Sequence, residues 1–170
     1  MLANNFNNTI DHWIVSLRET SFHKLCFKPN AAAWSMGQLY LHLINDTAYY
    51  IEQIKICLDT NDNTQKDATP FARQLFMNND FSDELIEGGP SNALIPQPES
   101  KEQLMKKLTQ IKIEMNHLAK LLEKSHFKGK TKRRGLGYFS AAEWFRFAEI
   151  HLRHHFRQKK RLDDFFETMS

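Results

Sequence analysis

Two histidines near the C-terminal end of the sequence occupy positions where a helix would place core side chains. Residues 141–166 carry apolar residues at helical spacing, and the stripe that begins with Trp144 and Ala148 continues through His151 and His155. Side chains four residues apart lie one above the other on the same helical face. Two imidazoles at this spacing can direct their ring nitrogens at one ion, about 2 Å from each. The pair therefore indicates a metal site.

A third histidine lies in the second apolar segment. His42 stands beside the core positions Leu39 and Leu43, and its polar neighbours one turn away are Gln38 and Asp46. Three neutral histidines that face inward suit Zn²⁺, Ni²⁺ or another borderline divalent ion. Three protein ligands leave one position open for water or substrate, which is typical of a catalytic rather than a structural site. Asp46 and Gln38 are the candidates for orienting this site or assisting catalysis.

Two other interpretations of these histidines stay open at this level. His154 lies three residues after His151, and this spacing also permits chelation. The apolar phase of the helix favours His155 as the ligand and places His154 on the flank. Buried histidines can also be satisfied by hydrogen bonds alone, either directly or through water. In that case they would be core residues without a metal.

Four segments with helical periodicity must position these side chains. None of them shows sustained two-residue alternation, so the sequence predicts an all-α protein without strands. The 170 residues fit a single domain, 1–170, and four amphipathic helices bury their stripes most simply as a four-helix bundle. The stripes are, in order, Phe6, Ile10, Trp13, Ile14 and Leu17; Met36, Leu39, Leu43, Tyr50, Ile54 and Cys57; Leu104, Leu108, Ile111, Met115, Leu118 and Leu122; and Trp144, Ala148, Leu162 and Phe165.

Three of the four segments begin with the pattern of a capping box. In this motif a serine hydroxyl accepts a hydrogen bond from the third helical N–H, while the side chain three residues later reaches back to the serine N–H. The pairs are Ser35 with Gln38, Ser100 with Gln103, and Ser140 with Glu143. Each pair stands at the head of an apolar stripe, which supports the predicted helix starts.

The stretch between the second and third helices, residues 59–99, differs in composition from the rest. It contains four of the five prolines and the Gly88-Gly89 pair. Within it, Phe71, Leu75 and Phe76 predict one short helix. A connection of this length is uncommon in a compact domain and is often functional. We therefore expect a long irregular crossover that packs over one end of the bundle and covers part of the site.

Charge and cysteine content exclude some classes of function. The net charge of +3 is too weak to indicate nucleic-acid binding, and no apolar stretch is long enough to cross a membrane. Cys26 and Cys57 are isolated, and the N-terminus does not resemble a signal peptide, so we expect a cytoplasmic protein. The basic run Lys128–Arg134 is either a solvated turn or a guide for an anionic substrate.

Two motifs in the chain resemble the DinB-like superfamily, also called the YfiT-like metalloenzymes. One is the tryptophan-led helix start from Trp34 to Leu43, and the other is the run from His151 to Gln158. The resemblance implies a four-helix bundle in which His42, His151 and His155 bind one metal ion, usually zinc or nickel. Relatives include transferases and isomerases that act on low-molecular-weight thiol conjugates, and others are described only as metal-dependent hydrolases.

These observations lead to one functional hypothesis and two alternatives. We expect a metal-dependent enzyme, either a hydrolase or a thiol transferase, whose small-molecule substrate is anionic or a thiol conjugate. One alternative is a metal-binding bundle in which the ion only cross-links two helices. The other is a metal-free helical dimerisation module. Bundles of this kind could form homodimers, and nothing in the sequence identifies the surface.

Overall fold

The apolar stripes fold into helices that pack face to face. The structure, a computed structural model, describes residues 1–81 and 94–169. Its elements are α1 (Leu2–Glu19), α2 (Phe22–Cys26), α3 (Met36–Cys57), α4 (Pro70–Asn78), α5 (Lys101–Lys124), β1 (Lys130–Arg133), β2 (Gly137–Ser140), α6 (Ala141–His154) and α7 (Phe156–Met169). Helix α1 packs against α5 and α6, and α3 packs against the same two helices. The predicted all-α four-helix bundle is confirmed.

The core of the bundle is formed by the predicted stripes. The buried members include Phe6, Ile10, Trp13 and Leu17 of α1; Leu39, Leu43, Tyr50 and Ile54 of α3; Leu104, Leu108, Met115 and Leu118 of α5; and Trp144 and Ala148 of α6 with Leu162 of α7. The core also contains Phe147, Ile150 and Phe166, which the fourth stripe did not include, whereas Phe165 of that stripe is only partly buried. Burial of such side chains is the main favourable contribution to folding. In the described residues, no helix has both the length and the hydrophobicity that crossing a membrane requires.

The helix starts follow the serine pattern, with one difference. At Ser35 and Ser140 both halves of the capping box are present. At Ser100 the hydroxyl accepts from the Gln103 N–H at 3.0 Å, but the Gln103 carbonyl oxygen accepts from the Glu99 N–H instead. The two complete boxes begin α3 and α6, the helices that carry the candidate histidines.

The long connection between α3 and α5 contains the predicted short helix, α4. Its first turn is capped by Thr69, whose hydroxyl accepts from the Ala72 N–H at 3.2 Å. Leu75 and Phe76 are buried, whereas Phe71 is largely exposed. Residues 82–93 of the connection lie outside the described residues.

A short hairpin corrects the prediction that no strands form. Strands β1 and β2 pair antiparallel, with Lys130 opposite Ser140 and Arg133 opposite Gly137. The turn depends on Gly135 and Gly137, which have φ angles of 77° and 86° that only glycine adopts readily. Strands of four residues are too short to produce a recognisable alternation.

The prediction of one continuous fourth helix is also wrong, because this helix is broken at His155. The sequence predicts one helix through the segment 141–166, and the structure has α6 and α7 on either side of that residue. At the break, the Trp13 indole N–H donates to the Leu152 carbonyl at 3.1 Å. A side chain that bonds a helix carbonyl is a recognised cause of a kink. The break leaves no signal in the local sequence, because no glycine or proline is nearby and the bonding partner comes from α1.

Replacing Ser140 with alanine tests whether the second capping box holds the start of α6. The Ser140 hydroxyl accepts from the Glu143 N–H at 3.3 Å, and the Glu143 carboxylate accepts from the Ser140 N–H at 2.8 Å. Loss of a capping hydroxyl costs about 1 kcal/mol. We expect Ser140→Ala to lower the free energy of unfolding by this amount in urea denaturation. Ser140→Thr keeps the hydroxyl and should retain most of the stability, so an equal loss in both variants would contradict the capping role.

Candidate metal centre

The structure brings together the three histidines that the sequence singles out. The Nε2 atom of His155 lies 3.2 Å from Nε2 of His42 and 3.2 Å from Nε2 of His151. All three candidate ligand atoms lie within 4.8 Å of one another. Nitrogens bound tetrahedrally at about 2.0 Å from one ion are about 3.3 Å apart. The spacing between His155 and each of its neighbours therefore fits a shared divalent ion.

Two packed helices and the break between α6 and α7 position these imidazoles. His42 lies in α3, His151 lies near the end of α6, and His155 is the residue at the break. The His155 N–H still bonds the His151 carbonyl at 3.3 Å, so the two residues remain one turn apart despite the break. Because α3 packs against α6, the third imidazole meets the other two in the interior.

The orientation of His155 is set by Gln158, a residue that sequence reasoning did not assign to the site. The Nδ1–H of His155 donates to the Gln158 carbonyl oxygen at 3.0 Å. This bond places the proton on Nδ1 and leaves the Nε2 lone pair directed at the other two histidines. The signal was present in the sequence, since Gln158 follows His155 by three residues and a helix brings such residues together.

Burial keeps these histidines in the form that binds metals. Burial, together with the neighbouring His42, lowers the pKa of His155 to about 3. The pKa of His151 is also lowered, chiefly by burial and then by His155 and His42. A histidine must be neutral to donate a nitrogen lone pair to a metal ion. Both residues are therefore neutral at physiological pH and competent as ligands.

Asp46 lies against two of the three imidazoles and reaches solvent. Its Oδ2 is 3.6 Å from Nε2 of His151, and its Oδ1 is 3.7 Å from Nδ1 of His42. The Tyr50 hydroxyl donates to Oδ2 at 3.4 Å. The Asp46 side chain is 31% exposed, whereas those of His42 and His151 are 5% and 10% exposed. A molecule from solvent can therefore meet the carboxylate before it meets the buried nitrogens.

Gln38, the other predicted catalytic candidate, forms hydrogen bonds at the start of α3 and none of these bonds involves an imidazole. Its carbonyl oxygen accepts from the Ser35 N–H at 3.0 Å, and its amide donates to the Ile95 carbonyl at 2.7 Å. These bonds complete the capping box of α3 and attach the chain that precedes α5. Gln38 therefore supports the helix that carries His42 and does not orient an imidazole directly.

Aromatic rings surround the three imidazoles. Trp34 lies over His42 with ring centroids 5.0 Å apart, and Phe147 stacks parallel to His151 at 6.5 Å. His154, the rival ligand, is not part of the three-histidine group and packs against Phe81 at 4.8 Å. An apolar surround of this kind strengthens electrostatic interactions inside the site.

We expected the long connection to cover part of the site, and of the two described stretches that flank residues 82–93 only one contacts a candidate ligand. At one end, Phe81 is buried and its ring lies 6.5 Å from that of His151. At the other, Ile95 bonds Gln38, one turn before His42. The part of that expectation that concerns residues 82–93 lies outside the described residues.

A metal ion accounts for the nitrogen geometry better than hydrogen bonds do. With its proton on Nδ1, His155 offers one Nε2 lone pair, which can accept one well-aligned N–H. Two other Nε2 atoms lie 3.2 Å from it, however. A cation takes lone pairs from all three nitrogens at once. The residues present therefore fit a divalent metal.

Comparisons with known proteins identify the family. No curated protein and no solved structure matches the chain at a significant level. The family model for the DinB superfamily matches residues 6–158, a range that contains His42, His151 and His155. This superfamily is associated with metal binding. Because the match covers most of its length, the chain belongs to the DinB superfamily.

Proposed function

We propose that this protein is a metal-dependent enzyme that holds one zinc or nickel ion through His42, His151 and His155. It acts on a small molecule, either as a hydrolase or as a transferase that uses a low-molecular-weight thiol. The observation that carries this proposal is the convergence of three Nε2 atoms at metal-ligand spacing, with a partly exposed carboxylate beside them. A site with three protein ligands is typical of catalytic metals.

The nucleophile in this reaction comes from outside the protein. Cys57 is buried, its thiol donates to the Phe139 carbonyl at 3.6 Å, and burial raises its pKa. Burial also raises the pKa of Cys26. Neither cysteine is activated by its surroundings. A water molecule or a thiol cosubstrate is the remaining source, and these two sources correspond to hydrolysis and thiol transfer.

Asp46 is the group that accepts the proton of that nucleophile. A divalent ion held by the three imidazoles would supply Lewis acidity at this site. Asp46 lies beside the imidazoles, with its Oδ2 3.6 Å from Nε2 of His151, and its side chain is 31% exposed. The Tyr50 hydroxyl bonds one of its oxygens and limits its rotation. A carboxylate placed in this way acts as a general base.

Metal analysis of the purified protein tests the ligand set. We expect one equivalent of zinc or nickel per chain and a lower melting temperature after chelation, because a ligand that binds only the native state stabilises it. Replacing His42, His151 or His155 by alanine should weaken metal binding by at least about 100-fold, measured by competition with a chromophoric chelator.

Two matched histidine variants serve as controls for this experiment. His117 is exposed on α5, and His154 lies outside the three-histidine group. Alanine at either position should leave the metal stoichiometry at one per chain. Loss of metal in His154→Ala, with retention in His155→Ala, would overturn the ligand assignment. Absence of stoichiometric metal together with unchanged stability in chelator would overturn the proposed function.

An Asp46→Asn variant separates metal binding from catalysis. Asparagine has the same shape and cannot accept the proton, so we expect metal affinity within about 10-fold of the wild type. Turnover should fall by about 10²- to 10⁴-fold. The zinc-loaded and nickel-loaded proteins would be assayed with p-nitrophenyl acetate for hydrolysis, and with glutathione and 1-chloro-2,4-dinitrobenzene for thiol transfer.

The outcome of these assays distinguishes enzyme from cross-linked bundle. Metal-dependent turnover in either assay that Asp46→Asn removes supports the enzyme. Stoichiometric metal with no turnover across a broader panel of esters, amides and thiol acceptors supports the non-catalytic alternative, in which the ion only joins α3 to α6. Equal turnover in wild type and Asp46→Asn would contradict the role of the carboxylate.

A further inference from the structure

The basic run before α6 directs one of its cations inward. Side chains alternate between the two faces of a strand, so Thr131 and Arg133 of β1 share a face. Thr131 faces the bundle, because its hydroxyl accepts from the Trp144 indole N–H at 2.7 Å. Arg133 lies on the same side, with its guanidinium carbon 5.7 Å from the centre of the Phe147 ring. The adjacent Arg134 is exposed.

Arg133 is partly buried, and one of its N–H groups lies in the interior. In the described part of the chain, its Nε atom is shielded from solvent and has no hydrogen-bond partner. No carboxylate among the described residues lies within 4.0 Å of its guanidinium, whereas Lys130 of the same strand pairs with Asp67 at 3.0 Å. A shielded N–H without an acceptor is costly, and a ligand anion would supply that acceptor. The contact with Phe147 compensates only part of that cost.

The position of this guanidinium connects it to the three-histidine site. Phe147, over which it lies, stacks on His151. The Phe147 ring also packs edge to face against the ring of Tyr50, with centroids 5.3 Å apart. Tyr50 in turn bonds Asp46, the carboxylate beside His151. Arg133 and Asp46 are thus both linked to His151, Arg133 through the Phe147 ring and Asp46 directly.

We propose that Arg133 binds the carboxylate of an anionic substrate and thereby selects small carboxylates for the proposed metal-dependent reaction, on which this inference rests. A guanidinium presents paired N–H donors that match the two oxygens of a carboxylate. The Asp46 carboxylate beside His151 contributes one negative charge to this site, and its repulsion acts more strongly on a phosphate dianion than on a carboxylate. The reacting part of the substrate then points from Arg133 toward the imidazoles.

Binding of a simple carboxylate tests this assignment without any enzymatic assay. Benzoate, its neutral analogue benzamide and inorganic phosphate would be titrated by calorimetry into the zinc-loaded wild type, Arg133→Gln and Arg134→Gln. We expect Arg133→Gln to weaken benzoate binding by at least about 10-fold, the loss of one charge-assisted pair. Arg134→Gln removes the same charge from the exposed neighbour and should leave the benzoate affinity unchanged. Benzamide should bind all three proteins equally.

The Arg133→Lys variant distinguishes loss of anion binding from a structural effect, because lysine keeps the positive charge but lacks the paired N–H donors of arginine. Its benzoate affinity should lie between those of the wild type and Arg133→Gln at unchanged melting temperature. Equal benzoate affinity in wild type and Arg133→Gln would overturn the proposal, since the anion would then contact only the metal. Tighter binding of phosphate than of benzoate, lost in Arg133→Gln, would overturn the choice of a carboxylate.

The zinc content of each sample separates this inference from the proposed function. If zinc does not load, the proposed function fails, and the benzoate titration on the metal-free wild type and Arg133→Gln still reports on the guanidinium. If zinc loads and benzoate binding does not depend on Arg133, only the carboxylate assignment fails.

Discussion

The convergence of three imidazole nitrogens in the interior is the constraint on which the rest of the structure depends. Buried polar rings are costly unless something takes up their lone pairs, and a shared cation takes up three at once. The imidazoles can share one cation only if α3 and α6 keep the positions of His42 and His151 fixed relative to each other. The apolar stripes of the bundle supply the packing, and the two complete capping boxes begin the helices that carry His42 and His151.

Polar links from α1 hold the end of α6 where the ligands lie. The Trp13 indole N–H donates a hydrogen bond to the Leu152 carbonyl in the last turn of α6. The Thr9 hydroxyl donates to the buried Glu149 carboxylate at 2.7 Å. Arg153 bonds the same carboxylate at 2.9 Å, so the buried charge is paired within α6. These contacts surround the residue at which the helix breaks. The ring of His155 remains beside that of His151, with their Nε2 atoms 3.2 Å apart.

The hairpin before α6 is attached to the rest of the protein by some of its side chains and directs Arg133 toward the core with another. Lys130 pairs with Asp67, while Thr131 bonds Trp144 and ties β1 to the bundle. Because the strand is held at these points, the position of Arg133 is fixed by register rather than by a flexible loop. A basic run that would be a solvated turn in another context thus places one guanidinium over a core ring.

The sequence by itself determined the all-α bundle, the starts of α3, α5 and α6, and three histidines as candidate ligands, with His154 as a rival to His155. These features depend on periodicity and on contacts between residues three or four apart, which a single segment displays. Tertiary structure alone decided the break at His155, the hairpin, the different task of Gln38 and the inward position of Arg133. Each of these depends on a partner distant in sequence, such as Trp13 for the break, Ile95 for Gln38 and Phe147 for Arg133. Local patterns carry no information about such partners, because long-range contacts exist only once the helices have packed.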